Sequence, residues 1–532
     1  MRSTIILFAC LPAMALLSHC GSSGGEDYPA TMPLGQCSAN SDPFPVRPAP
    51  TVAASLPALH VSGAQLLDEN GSPVALRGTN FGSWLLIEAW IPGFKVFFDD
   101  FEKGIADFQA RADETGCGDA MSEGINQGMA AYLLGDENYL EIIEIVRQAG
   151  YENAATDAQK ICLDDIWAWW DSQPWIHGEE DLWAYLYQRF GPKKMEELKQ
   201  LYRDHWITET DFARVAQAGM NVIRLPIWYD VLESGEEGES HFRPAGWRRL
   251  DFAVEMARRY GLYLIVDLHG APGGQSKEPH CGTSRGNRLW KEQACVDKTV
   301  RLWQALAAYL KDEPHVAAFD LLNEPMTLPD KATYASVLID IYAAVRQENP
   351  SVIVMYEDGY KSPSSIPKPA ELGFEQCMFS IHAYNSGSSA QAVAEAYEAE
   401  LDKWSAWWQG DHGVPLYFGE FAQGGHEQKD LEAMDLILGR LNARGVHWSP
   451  WTFKYWSLDS YWGLYHHENP DFVPMDVTQL SFEELKARLL NLDSSHFIPH
   501  ADFLEVVTRR ATEPFGPAAS PTGPGVGVRF KP

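Results

Sequence analysis

Two glutamates in this sequence each close a short apolar run: Glu324 ends Phe319-Asp-Leu-Leu-Asn-Glu-Pro325, and Glu420 stands in Tyr417-Phe-Gly-Glu-Phe421. Charge at the end of a buried strand is costly unless it is paired or used. Two carboxyl groups brought face to face can cleave a glycosidic bond by double displacement. One attacks the anomeric carbon while the other protonates the leaving oxygen, which requires a separation of about 5 to 5.5 Å. Further polar or aromatic residues close other apolar runs: Arg224, His269, Asn323, His382 with Tyr384, and Trp451. Any one of them could be structural. Their common position at the same end of successive runs points to one shared pocket.

The elements that must position these residues are short, nearly continuous apolar runs, the pattern of strands buried on both faces, alternating with amphipathic helical stretches. Strands are expected at 74–81, 221–227, 263–270, 316–323, 351–357, 378–384, 416–421 and 446–453. Helices are expected at 208–218, 247–260, 296–310, 332–347, 392–408, 431–443 and 482–490. Eight strand-helix units predict an α/β fold, a closed parallel (β/α)8 TIM barrel. Both glutamates then fall on facing strands, the fourth and the seventh. Before the barrel, residues 59–74 with the turn Glu69-Asn70-Gly71-Ser72 read as a β-hairpin. A helical insertion of about 97–203 follows the first strand, placed either to wall one end of a cleft or to act as a buttress. Residues 57–510 form the barrel domain on this reading; 21–56, rich in Gly, Ser and Pro, read as a tether and 511–532 as a disordered tail.

The motifs around the two glutamates resemble glycoside hydrolase family 5, the cellulase family A. The likeness is carried by Asn323-Glu324-Pro325 and extends to Arg224 in Val-Ile-Arg-Leu-Pro, His269 in Val-Asp-Leu-His-Gly, His382 and Tyr384 in Ile-His-Ala-Tyr, Glu420, and Trp451 in Trp-Thr-Phe-Lys. It implies a retaining β-glycosidase without cofactor or metal, with Glu324 as acid/base and Glu420 as nucleophile. Glu324 would need a raised pKa to hold its proton, gained from a partly dry cleft and the charge of Glu420. Arg224 and Tyr384 would support the ionised nucleophile, and Asn323 would bond the sugar 2-hydroxyl. His269 and His382 would hold hydroxyls and carboxylates in place, and Trp451 would floor the subsite of the cleaved sugar. The stretch from Leu76 to Trp90 is similar to the exo-1,3-β-glucanase-like branch, in which a glutamate at the place of Glu88 binds the terminal sugar. A β-glucan substrate, β-1,3-linked, follows from that similarity. An endo-β-1,4-glucanase or mannanase with the same catalytic pair is the alternative. A catalytically silent carbohydrate-binding surface protein is the alternative of another class, and the presence of both glutamates argues against it.

The formal charge of -31 repels nucleic acid and anionic lipid, and a neutral saccharide suits it better. Arg2, an apolar run at 5–17 and Leu17-Ser18-His19-Cys20 form an export signal that resembles a lipobox. Residues 1–20 thus read as a lipoprotein-like signal peptide, either with Cys20 acylated as the mature N-terminus of an outer-membrane lipoprotein or with cleavage to a soluble secreted protein. A membrane contact is expected only through that anchor. Among the remaining cysteines, Cys281 and Cys295 are the closest couple, and a bridge there would stabilise their loop by about 3 kcal/mol. His466-His467-Glu468 read as a solvated loop rather than a metal cluster, and the glycines at 523–527 follow no strand and make no nucleotide loop.

Overall fold

A computed structural model describes residues 37–95, 110–134, 139–171, 176, 178–234, 240–283, 285–408 and 413–516. The export segment, Cys20 and the glycines at 523–527 lie outside the described residues. Eight parallel strands form one sheet in chain order: Gly78–Asn80, Val222–Trp228, Tyr263–Gly270, Val316–Asp320, Ile353–Glu357, Cys377–His382, Leu416–Glu420 and His447–Trp448. A parallel bridge between Arg77 and Trp448 closes the sheet into the expected barrel. Every residue of the second and third strands is buried, which is why their sequences run apolar without alternation. The first strand lies so close to the second that a Cβ on Gly78 would sit 1.7 Å from the Val222 carbonyl oxygen.

The closing seam has little ladder. Trp448 N–H donates to Leu76 O at 3.0 Å. Above it the Asn80 side-chain amide donates to the carbonyls of Gly419, Ser449 and Pro450 at 2.9, 3.1 and 3.2 Å. A side chain there takes the part that backbone pairing plays between the other strands.

Leu59–Ser62 and Gln65–Asp68 form an antiparallel hairpin whose reversal falls at Gly63, at φ 56, a left-handed conformation that glycine adopts freely. The expected turn at 69–72 is also present and makes a second reversal, with Leu67 bridging Pro73. Leu59 and Leu66 pack with Val222, Ile265, Ile353 and Met378. The hairpin therefore stoppers the end of the barrel where the strands begin and leaves the other mouth for chemistry.

Within the insertion, helices Gly118–Leu134, Tyr139–Asn153 and Asp157–Asp171 share a small core of their own, including Met121, Val146, Leu163 and Trp170, with a Cys117–Cys162 disulfide. Helices Glu179–Phe190 and Pro192–His205 instead bury Leu182, Trp183, Leu198 and Tyr202 in the main core. Among the described residues no helix is long and apolar enough to cross a membrane.

Three expectations are corrected. Residues 37–56 do not form a tether. Cys37 is bonded to Cys295, Arg47 donates to Glu313 at 2.6 Å, and Thr51 donates to Glu255 at 2.7 Å, so side-chain anchors dock a Pro-rich segment that has no core of its own. Cys281 does not pair with Cys295. Its buried thiol lies beneath the third-strand loop and donates to the carbonyls of Ser276 and Glu278, whereas Cys295 opens the helix Gln293–Tyr309 against which Cys37 lies. Nearness in sequence did not decide the partner. At the other end the helix Ala501–Thr512 carries the ordered chain past the expected boundary, its Val507 buried in the core.

Peptide mapping without reduction is expected to recover Cys37 linked to Cys295 and Cys117 linked to Cys162. Cys37→Ala should lower unfolding free energy by about 2–4 kcal/mol in a denaturant titration, and a Cys281–Cys295 peptide would contradict the assignment.

Candidate active site

Arg224, in the second strand, has no exposure to water and sits at the centre of the open mouth. Its guanidinium reaches Asp267 and Glu357 at 3.0 Å, Asp320 at 2.9 Å, Glu420 at 2.6 Å and the Asn323 side-chain oxygen at 2.7 Å. Burial works against the cation, but these four carboxylates outweigh it and hold the pKa well above the ordinary arginine value. Burial in turn raises the acids. Asp267 is pushed up to about 7, and Asp320 and Glu357 are raised as well.

The two glutamates singled out from sequence meet across this mouth. One oxygen of Glu324, one of Glu420 and a ring nitrogen of His382 all lie within 4.8 Å of one another. Glu420 accepts from Arg224 on Oε1 and from the Tyr384 hydroxyl on Oε2 at 2.8 Å. Glu324 accepts on Oε1 from the Tyr360 hydroxyl at 2.8 Å, and His382 Nδ1 lies 2.8 Å from the same oxygen. Both tyrosines are raised well above the ordinary value, chiefly by burial and also by these carboxylates, so they remain donors. Gly419 makes room for this arrangement, since a Cβ there would fall 2.6 Å from His382 Nε2.

Glu324 departs from the expected electrostatics. Burial pushes its carboxyl up, yet the charge of His280, with the hydrogen bond and charge of His382, overcomes burial and holds it below the ordinary range. His382 moves the other way. Burial lowers it, but Glu420 and the bond to Glu324 raise it above the ordinary histidine value. The backbone of Glu324 lies at φ 40, a region costing about 1–3 kcal/mol for a non-glycine residue. It is fixed there by its N–H, which donates to Glu357 Oε2 at 2.6 Å, and by Gln275, which donates to the Asn323 carbonyl at 2.7 Å.

His269 is driven down to about 3 by burial and is neutral, with its Nδ1 2.7 Å from Asp267 Oδ2. Its ring lies parallel to Trp451 at 5.4 Å, and Trp451 is 3% exposed. Glu88 comes from the loop after the first strand. Burial and the charge of Glu420 push it up to about 8 against the Trp90 indole N–H, which donates to it at 3.1 Å. Trp90 continues through Trp462, at 5.0 Å, to Tyr384, at 5.7 Å, making an aromatic wall beside Glu88.

Sequence reasoning missed Asp267, Asp320, Glu357, Tyr360, His280 and Trp462. The three acids had a signal, because a lone arginine inside a buried strand demands opposite charge on its neighbours. Tyr360, His280 and Trp462 lie on loops, where no periodicity marks them. His466 and His467 are not on a solvated loop. They are buried in a short strand paired with Phe497–Pro499, and His466 packs on His500 at 4.3 Å between ring centres. As for metal, Glu324, His382 and Glu420 offer three donors, but the nearest His382 nitrogen is committed to Glu324. In the other such trio among the described residues, Cys37, Glu292 and Cys295, both sulfurs are joined in a disulfide.

Residues 188–457 match the model of the cellulase family, glycosyl hydrolase family 5. The chain belongs to that family and is a glycosidase. It is 27% identical over 422 residues to a beta-xylosidase of Phanerodontia chrysosporium, covering 74% of this chain and 70% of that one. Over 178 residues it is 38% identical to a probable glucan 1,3-beta-glucosidase A of Neosartorya fischeri, 32% of this chain and 42% of the relative. Over 185 residues it is 29% identical to endoglucanase C of Acetivibrio thermocellus, 34% of this chain and 51% of the relative. The chain thus matches about half the length of the latter two.

The raised pKa of Glu88 fixes a sign. Between the ordinary glutamate value and about 8 the folded state keeps a proton that the unfolded state has lost, so this group's contribution to stability falls as pH rises through that window. Glu88→Gln cannot ionise. Its unfolding midpoint relative to the parent protein should therefore climb steadily from pH 5 to pH 8.5, and a constant offset would refute the assignment.

Proposed function

We propose that this glycosidase cleaves β-glucan with retention of anomeric configuration, with Glu324 as acid/base and Glu420 as nucleophile. The observation that carries the reading is the approach of the Glu324 and Glu420 oxygens to within 4.8 Å. That approach fits the separation of double displacement, about 5 to 5.5 Å between carboxyls, better than the about 6.5–9.5 Å of an inverting enzyme, which must admit a water. In the first step a Glu420 oxygen bonds to the anomeric carbon as the glycosidic C–O bond breaks, and Glu324 passes a proton to the leaving oxygen. In the second step Glu324 takes a proton from water, whose oxygen displaces Glu420. Arg224 and Tyr384 stabilise the Glu420 carboxylate that attacks and later departs. Asn323 bonds the 2-hydroxyl, His269 holds Asp267 and backs Trp451, and neutral Glu88 can donate to a sugar hydroxyl beside the aromatic wall.

β-1,3-Glucan is the favoured polymer, supported by the first-strand sequence containing Glu88 and by the similarity to the glucan 1,3-beta-glucosidase. Similarity to endoglucanase C supports internal attack on another glucan as the second reading. Export with lipid attachment at Cys20 belongs to the same proposal, supported by the apolar run before that cysteine and by two disulfides, which suit an oxidising compartment.

Glu420→Ala and Glu324→Ala should each lose at least about 100-fold in turnover of natural substrate while melting cooperatively. With azide and an activated glycoside, the first should give an α-azide and the second a β-azide; near-native activity of the Glu420 variant would sink the role assignment. Laminarin, carboxymethylcellulose and mannan assayed side by side should give the largest response with laminarin, released as glucose, and dominance of either other polymer would replace the substrate reading.

A further inference from the structure

We propose that His280 is a positioning residue on the Glu324 carboxyl, and that the helical insertion holds it there through Glu180. The inference rests on the reading of Glu324 as acid/base. Tyr360 and His382 both meet Glu324 at Oε1, while His280 Nδ1 lies 3.3 Å from the other oxygen, Oε2. Its ring also meets the edge of His269 at 6.2 Å, and its Nε2 is buried with no hydrogen-bond partner among the described residues. Nδ1 therefore faces the carboxyl at ion-pair distance, and no fold-stabilising bond at Nε2 holds the ring elsewhere among the described residues.

His280 stands in a tight turn, Pro279–Cys281, trapped from two sides. Beneath it, a Cβ on Gly270 at the end of the third strand would come within 2.4 Å of the Cys281 carbonyl oxygen, so the turn rests directly on the barrel. Above it lies the start of the insertion helix Glu179–Phe190. Glu180 N–H donates to the Gly282 carbonyl at 2.9 Å, and its carboxylate accepts from Thr283 and pairs with Arg285. Gly178 is so close that a Cβ would meet the Gly282 oxygen at 2.9 Å. The helix is itself anchored, because Glu179 pairs with buried Arg203 and accepts from the Ile87 N–H at 2.6 Å. An unbroken set of contacts thus runs from the insertion to Oε2 of Glu324.

Glu324 is also faced by Asp358, Glu357 and Tyr360 from the fifth strand and its loop, by His382 and Tyr384 from the sixth, and by Glu420 from the seventh. Asp267 and His269 from the third strand, Glu88 from the first loop and Arg224 behind them complete the surroundings. Only His280 reaches the carboxyl from a turn clamped by the insertion. The charge that His280 places 3.3 Å from Oε2 favours the ionised carboxyl and draws that oxygen toward the turn, so removing it should make Glu324 release its proton at higher pH and place it less well.

The test is kcat/KM against pH for an unactivated β-gluco-oligosaccharide and for 2,4-dinitrophenyl β-glucoside, whose leaving group needs no proton. His280→Ala should move the alkaline limb up by about one pH unit and lower oligosaccharide cleavage about tenfold, with little loss on the dinitrophenyl glycoside. Glu180→Ala should do the same to a smaller degree. His280→Gln, which fills similar space but cannot ionise, serves if the alanine variant does not fold, and should shift the limb in the same direction. An unchanged limb in the His280 variants, or equal losses on both substrates, overturns the proposal. Azide rescue of Glu324→Ala in parallel separates the failures: without rescue the acid/base reading falls, and with rescue but an unshifted limb only the role of His280 falls.

Discussion

A guanidinium shut away from water must be neutralised from within, and in this barrel that requirement organises the whole mouth. Arg224 draws Asp267, Asp320, Glu357 and Glu420 around itself and reaches Asn323 and Asn80 besides. Those partners come from the first, third, fourth, fifth and seventh strands, so one side chain of the second strand ties most of the barrel together at one level. Removing a buried charge from such a group leaves several carboxylates uncompensated. The strands can therefore slide or tilt little without breaking a charge-assisted bond. The position of Glu420 follows from this constraint.

The same crowding gives two acids a few ångströms apart different partners. Glu420 has the permanent cation and a tyrosine hydroxyl, which favour negative charge on it in every state of the site. The Glu324 carboxyl is hydrogen-bonded instead by the Tyr360 hydroxyl and the His382 ring. Arginine cannot give up its proton near neutrality; histidine can. The chemistry of the partners, more than the identity of the two carboxyls, distinguishes them.

Much of this could be read from the residues. The eight strands were legible because strands covered on both faces leave continuous apolar runs, and Glu324 and Glu420 were legible because each ends such a run in an Asn-Glu-Pro or Gly-Glu-Phe setting. Asp267, Asp320 and Glu357 were hidden in plain view: they lie within or at the end of strands correctly located, yet their task is defined by Arg224, which is remote in sequence. His280 and Tyr360 could not be found by pattern, since irregular loops carry no repeat. The cysteines and residues 37–56 failed for a related reason. Composition shows that a segment has no core of its own, but not that it will lie in the grooves of a core built elsewhere. The insertion was seen as helical, whereas its division into a free-standing cluster and two helices embedded in the barrel depends on contacts that sequence does not reveal.

Where the sheet meets itself, the first and eighth strands are the shortest of the eight and share a single bridge, with the amide of Asn80 fastened to three carbonyls across the gap. Every other neighbouring pair is laced by repeated backbone bonds. The cylinder is a rolled sheet held shut by a clasp of side-chain bonds. Gly419, whose carbonyl receives that amide, directly precedes Glu420. The fastening of the cylinder and the seating of the Glu420 carboxylate thus share one peptide unit.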